Sequence, residues 1–455
     1  MKNKSATARP TAPRQIELPR HIGRPGSRSV AKRHRRRGSS IGLSPILPDV
    51  RARVGRIPEV VEERSPPEQT GVWGFLSSPG DWTTPALRRD WRCLVGDRSD
   101  LRRIYQTPGW FDHIASLQTQ DQIAVAVTRD LTGHVNGIAP IRIARGTLEF
   151  HAAGHTLGRF SMRKAHFLGG LPLVPEDRPT LDNLFASMST SLPGVDAIGL
   201  SGVEVGSFLW QYLHSSKALQ DRYLLHVVEG VRPCHILPLP PTFDQYLAQF
   251  NAKKRYNLKT QIRILRERGA GRLELRRIDS PDDVQCLLDA ETQMVPDPRR
   301  FSGLGGNPAD SFWSRRKTVD LAERGFLRSY VLTCGDVPIS LIKGVQYETT
   351  YLALQTLYRR DYAPFSPGAA MQYLAIEDLL RHRPARIIDF GCGEPQQKHY
   401  ASNVTLHLAC ILLMKKTIAN RLRRGLHAAF FSAVRLTKRI RGRIEPGKGP
   451  KACTA

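Results

Sequence analysis

The stretch from Tyr351 to Asn403 reads YLALQTLYRRDYAPFSPGAAMQYLAIEDLLRHRPARIIDFGCGEPQQKHYASN, and it constrains the fold more than any other part of the chain. Apolar residues alternate from Tyr351 to Tyr358, which predicts a strand. A short polar loop follows. Ser366-Pro367-Gly368 then predicts a helix start, with Ser366 as N-cap and Pro367 at the first helical position. Met371, Leu374, Ala375, Leu379 and Leu380 recur at helical spacing. Arg386 to Phe390 predicts a buried strand that ends at Gly391 and Gly393. A loop that feeds a helix N-terminus offers free backbone amides and the positive end of a dipole, which is what a pyrophosphate needs.

The flanking sequence predicts two α/β units. Residues 73–230 carry strand patterns at Ile123–Val127, Val135–Ile143 and Thr147–Phe150, a helix at Thr180–Leu192 and a buried strand at Asp196–Leu200. His235–Pro240 reads as an extended connector. A helix led by Asn251 follows, with Leu258, Ile262 and Leu265 on one face and a strongly basic opposite face. Leu273–Ile278, Ser329–Thr333 and Ile339–Gln346 read as strands, the last two as a hairpin about Gly335-Asp336. Val284–Gln293 and Phe312–Arg324 read as helices, and Val404–Met414 as a closing strand. The expected domains are a disordered basic tail (1–70), an N-terminal domain (71–232), a C-terminal domain (233–414), and a basic amphipathic helix with its tail (415–455).

Charge bears on partners. The net charge of +27 is concentrated at the ends: residues 1–70 hold 16 Lys and Arg against 6 acids, and residues 411–455 hold 12 against one. Such ends suit an anionic partner, whether membrane phospholipid, nucleic acid or acidic polysaccharide. In the last segment Ile418, Leu422, Leu426, Phe430 and Ala433 recur at helical spacing among arginines. That helix can lie on an anionic membrane or pack its stripe on the protein body. The seven cysteines show no CxxC or CxxH spacing, which predicts neither zinc nor a disulfide framework but reduced thiols in a cytosolic protein. No apolar run is long enough to span a membrane, and no secretory signal is apparent, so the expected location is the cytoplasm, with a peripheral place at the inner membrane surface.

Ile387–Glu394 resembles the first glycine-rich motif of S-adenosylmethionine-dependent methyltransferases, but too few residues follow Gly393 for the rest of that fold, and the third glycine is absent. Four segments in order resemble instead the CelD-type, FemAB-like acyltransferases of the GNAT superfamily. They are Tyr105–Trp110, Lys253–Leu258, Asp361–Gly368, and Asp389–Glu394 with Lys398. The resemblance spans roughly residues 90–410. It departs from the family at Gln397, where Tyr is usual, and in lacking the usual pyrophosphate loop glycines.

The resemblance implies an α/β protein of two tandem GNAT-like domains, with mixed central sheets flanked by helices. It also implies transfer of an acyl group, expected to be acetyl, from acyl-CoA to an amine on a sugar or on a cell-envelope or exopolysaccharide precursor, with no metal. Aminoacyl-tRNA as donor and a non-catalytic scaffold stand as alternatives. Acyl transfer needs a deprotonated amine, a polarised thioester and a held donor. For the donor the candidates are the Ser366 and Gly368 amides with Tyr362 and Arg359. For the acceptor they are Lys253, Lys254, Arg255 and Tyr358. Asp389 is the candidate base or amine-orienting group, or else a structural partner of the Gly391 and Gly393 amides. Glu394 is an alternative base and Lys398 an electrostatic stabiliser. Glu291 reads as a solvated helix position.

Overall fold

Strand, loop, helix and strand follow one another at 351–392 as the pattern requires, inside a mixed sheet built from the whole body of the chain. The computed structural model describes residues 73–96, 103–117, 122–130, 132–152, 155–294, 314–392 and 404–444. The expected tail of residues 1–70 therefore lies outside the described residues. The first strands in the chain are β1 (Gly74–Leu76), β2 (Gln122–Arg129), β3 (Val135–Ala152), β4 (His155–Phe167), β5 (Ala197–Glu204) and β6 (Tyr223–Pro238). They are followed by β7 (Leu273–Ile278), β8 (Ser329–Cys334), β9 (Val337–Tyr347), β10 (Thr350–Tyr358), β11 (Ile387–Cys392) and β12 (Val404–Lys415). Their spatial order is β1-β2-β3-β4-β5-β12-β6-β11-β10-β9-β8-β7.

The helices are α1 (Pro79–Trp82), α2 (Pro85–Gly96), α3 (Pro108–Leu117), α4 (Arg178–Ser191), α5 (Phe208–Ser215) and α6 (Lys217–Arg222), then α7 (Phe243–Ala248), α8 (Ala252–Arg268), α9 (Val284–Met294), α10 (Arg315–Glu323), α11 (Pro367–Arg381) and α12 (Ile418–Ile444). Several of them cover a sheet face with apolar side chains. Leu184, Phe185 and Met188 of α4 pack with Ile198 and Leu200 of β5. Leu265 of α8 and Met371, Ala375 and Ile376 of α11 pack with Tyr330, Tyr351 and Ile388. On the opposite face Leu287 of α9 and Leu321 of α10 meet Val331, Leu341 and Leu352.

Two strand–helix–strand units recur in the sheet. β4, α4 and β5 form one, with β4 and β5 parallel over Lys164↔Ala197, Ala165↔Ile198 and His166↔Gly199. β10, α11 and β11 form the other, parallel over Thr350↔Ile387, Tyr351↔Ile388 and Leu352↔Asp389. The remaining pairings between named strands are antiparallel. The strand after each unit crosses over: β12 lies between β5 and β6, and β6 pairs with β11.

Three expectations change here. His235–Pro240 is no connector, because residues 223–238 form one long strand at the centre of the sheet, a position that a Pro-punctuated run conceals. Thr147–Phe150, which reads as a strand of its own, belongs to the long hairpin of β3 and β4. The cysteines are not all reduced: Cys234 of β6 and Cys392 of β11, 158 residues apart in sequence, face each other across the sheet and form a disulfide. Only strand register brings that pair together, so no local spacing could announce it.

Candidate active site

The pairing of β10 with β11 stops at Leu352↔Asp389, although β10 runs on to Tyr358 and β11 to Cys392. Each strand keeps its outer neighbour: β10 stays on β9 as far as Tyr358↔Ser340, and β11 meets β6 again at Cys392↔Cys234. A notch therefore opens between the C-terminal halves of two parallel strands, the place where α/β sheets take ligands.

The connection from β10 to α11 lies at the wide end of the notch. Ser366 occupies the N-cap position as expected, but its backbone is left-handed (φ 53°, ψ 52°) and its side chain makes no cap hydrogen bond. Left-handed backbone at a residue other than glycine costs on the order of 1–2 kcal/mol. The Ser366 amide donates to Ala363 O at 3.1 Å, and the amides of Ala369 and Ala370 donate to Ser366 O at 3.0 and 3.3 Å. Pro367 has no amide hydrogen, so the Gly368 N–H is the donor left at the helix start. A Cβ added at Gly368 would meet nothing within 4 Å, so there is room for a ligand against it.

Cations surround this loop. The Arg268 guanidinium, at the end of α8, lies 4.5 Å from the Phe365 ring centroid and 5.9 Å from that of Tyr362. Arg359 lies 5.9 Å from the Tyr362 centroid and also binds Asp361 through two nitrogens, at 2.9 and 3.1 Å. The predicted donor residues Arg359, Tyr362, Ser366 and Gly368 thus stand on one short loop. Arg268 was missed, because nothing in a basic helix end announces which aromatic ring it will cover.

The corresponding unit of the first half has no such opening. Past His166↔Gly199, the Ser201 amide donates to Gly170 O at 3.0 Å and continues the closure. Gly170 has φ +86°, and a Cβ there would strike the Ser201 carbonyl oxygen, so the tight approach needs glycine. At the start of α4 the Asp177 carboxylate accepts from the Thr180 amide at 2.7 Å. A negative side chain already occupies that helix end.

Asp389 is buried, and its Oδ1 accepts the Gly391 amide at 2.6 Å, where Gly391 takes φ 73°. This is the structural bond anticipated for it. Leu352, its register partner, packs on the α9 and α10 face of the sheet, and Asp389 shares that side by register. Glu291 of α9, expected to be solvated, instead binds the Nζ of wholly buried Lys343 on β9 at 2.5 Å. A buried ammonium demands such a partner. Burial pushes Lys343 below the ordinary lysine value, against the pull of Glu291.

Other candidates stand apart from the notch. Lys253 and Lys254 are exposed at the beginning of α8, roughly 22 Å along the helix from Arg268 at 1.5 Å per residue. Lys254 sits over the Phe250 ring at 3.9 Å, and Arg255 donates to Phe250 O at 2.7 Å. Tyr358 is exposed at the end of β10. Glu394 and Lys398 lie outside the described residues, as does Gly393. The Tyr105–Trp110 segment packs against the second half, with Trp110 buried between Tyr105, His113 and Phe326.

Helix α11 is fixed from behind by Arg328, the residue before β8, which is 2% exposed. Its guanidinium donates to Tyr330 Oη (2.8 Å), Gln346 Oε1 (2.6 Å), Arg383 O (2.8 Å), Asp378 Oδ2 (2.9 Å) and His382 O. Burial alone would raise the Asp378 carboxyl, but hydrogen bonds from Arg328 and Tyr330 hold it below the usual carboxylate range. Among the described residues no group of three or more His, Cys, Asp or Glu could hold a metal ion, and no helix is long and apolar enough to cross a membrane.

Residues 252–400 match the acetyltransferase (GNAT) domain family. That stretch contains α8, the notch, the α11 start and Asp389, so the chain carries a GNAT acetyltransferase domain and its chemistry is acyl transfer. No curated protein matches the chain. Among solved structures, FemX is 13% identical with a TM-score of 0.49, covering 74% of this chain and 98% of its own. A tandem GNAT protein from the clavulanic acid biosynthesis pathway is 11% identical with a TM-score of 0.44, covering 75% and 98%. L-PGS from Bacillus licheniformis is 11% identical with a TM-score of 0.42, covering 82% and 99%.

Proposed function

We propose that the protein is a CelD-type N-acyltransferase of two GNAT-like halves, residues 71–232 and 233–414, that moves an acetyl group from acetyl-CoA to an amine on a sugar or on an envelope or exopolysaccharide precursor. The observation that carries this reading is the asymmetry between the two strand–helix–strand units. The second has an open notch beside an uncapped helix start, whereas the first is closed and capped by the Asp177 carboxylate. Donor binding therefore belongs to the second half. The pyrophosphate of coenzyme A would take the Gly368 amide and the positive end of the α11 dipole, worth about half a charge. Tyr362, Arg359 and Arg268 would flank it.

In this reading the acyl chain lies in the notch, and the amine approaches from the α9 face, where Asp389 stands. Asp389 orients the amine or takes its proton, with Glu394 as the alternative base and Lys398 stabilising charge on the thioester oxygen. Lys253, Lys254, Arg255 and Tyr358 are assigned to an anionic part of the acceptor. Acyl-CoA as donor puts the reaction in the cytoplasm. One observation favours aminoacyl-tRNA as an alternative donor: Tyr256 is 68% exposed beside the exposed Lys253 and Lys254, an aromatic among cations.

The test follows thiol release from acetyl-CoA in the presence of amino sugars, with wild type and Asp389→Asn. Release that the variant lowers by about 100-fold or more supports the assignment. Equal release by both proteins removes Asp389 from it. No release by wild type, together with salt-sensitive tRNA binding, would transfer the reading to the tRNA-dependent alternative.

A further inference from the structure

Helix α12 carries two stripes, and only one is used. Asn420, Arg423, His427, Phe430, Phe431 and Val434 turn toward the body. Asn420 and His427 are buried. The Asn420 amide donates to Asp196 O at 3.1 Å and to Lys415 O at 3.0 Å. His427 lies 3.0 Å from His226 and 3.2 Å from Glu149 O, and Phe430 packs edge-on against Phe150. Of the stripe that the spacing picks out, Phe430 turns toward the body, whereas Ile418, Leu422, Leu426 and Ala433 are exposed. Ile418, Leu422, Leu426 and Leu436 are 81%, 61%, 56% and 58% exposed. At about 100° per residue these four fall within one sector of roughly 80°, on the side away from His427.

We propose that this second stripe docks the protein on an anionic lipid surface, with α12 lying flat in the headgroup region. Exposed large apolar side chains carry a solvation cost that a globular surface ordinarily avoids in clusters. Here four of the ten such side chains among the described residues share one helix. The helix sequence has eight Lys and Arg and no Asp or Glu. Arg421 is exposed on the flank of the stripe, and Arg424 and Arg435 are exposed nearer the body side. Charge complementarity selects the occupant. A second copy would set eight cations against eight, and a nucleic acid would leave the leucines wet, whereas phospholipid satisfies both the apolar stripe and its cationic flank. The proposal is independent of the acyl donor.

The test is co-sedimentation of the full chain with phosphatidylcholine vesicles, with and without about one-third phosphatidylglycerol. Binding is expected only with the anionic lipid, weaker at high salt. Leu422→Glu with Leu426→Glu is expected to lower the partition coefficient by about tenfold or more, leaving the thermal melt unchanged because both positions are exposed. Leu426→Trp gives an independent readout, since its emission shifts to the blue when anionic vesicles are added. Three outcomes would overturn the proposal: wild type that stays in the supernatant, a double variant that sediments like wild type, or a wild-type dimer that the double variant converts to monomer without lipid.

Discussion

Arg328 is the most sharply testable of the buried groups, because removing it leaves named atoms without partners. Arg328→Met keeps the aliphatic stem and deletes the guanidinium. Gln346 Oε1 and His382 O then lose Arg328 as their hydrogen-bond donor, whereas Arg383 O keeps the Gln346 amide at 2.9 Å. Asp378 keeps Tyr330 at 2.9 Å and Arg277 at 3.2 Å but loses its buried cationic partner. Each neutral orphan costs about 1–3 kcal/mol, and breaking a buried ion pair costs about 3–5 kcal/mol in total. The two neutral orphans give about 2–6 kcal/mol, and the retained Asp378 partners offset most of the ion-pair cost, which leaves about 4 kcal/mol. With a urea slope of about 3 kcal/mol per molar, the unfolding midpoint should fall by about 1.3 M. Arg328→Lys should fall between the two, because an ammonium keeps the charge but not the fork. A shift for Arg328→Met below about 0.3 M would refute the reasoning that α11 is held on the sheet by this guanidinium.

Three further outcomes are expected. Burial, reinforced by His427 and Arg424, holds His226 at about 4. An unfolded imidazole takes a proton near pH 6.5, so stability present above that value should decline as pH falls toward 4, with a slope for this group of up to about 1.4 kcal/mol per pH unit; urea midpoints at several pH values measure it, and His226→Gln should flatten the decline. Alkylation of the unreduced protein should leave Cys234 and Cys392 unlabelled while Cys93 and Cys410, both exposed, react; labelling of Cys234 without reductant contradicts the disulfide. Gly344→Ala should destabilise by about 1–3 kcal/mol through overpacking, because its Cβ would strike the hydroxyl of buried Tyr351; a calorimetric melt unchanged from wild type counts against that contact.

The second unit was legible because each of its signals is local. Alternation gave β10, the Ser-Pro-Gly step gave the start of α11 to the residue, and the apolar run gave β11. Long-range partnership was not legible. β12 reads as a closing strand yet lies at the centre, because the sequence of a strand does not name its neighbours. Glu291 reads as solvated because its partner, Lys343, is 52 residues away on a strand where lysine is unexpected. Periodicity found the apolar stripe of α12 but could not tell which of two stripes would face the body. His427 and Asn420 won that place through hydrogen bonds to β6 and to the loop before β5. At the candidate site, the candidate donor residues were legible as a group because they stand on one short segment, whereas the place of Arg268 and the capping of α4 by Asp177 needed the fold.

The central claim is that the second half alone holds an acyl-CoA donor, at the start of α11. Calorimetric titration of acetyl-CoA into the full chain tests it most directly, with Ser366→Glu and Asp177→Asn as the paired variants. The account predicts binding near micromolar for wild type and for Asp177→Asn, and a loss of about 100-fold or more for Ser366→Glu, where a carboxylate would meet the pyrophosphate. Undiminished binding by Ser366→Glu, or no binding of acetyl-CoA by wild type, would contradict it.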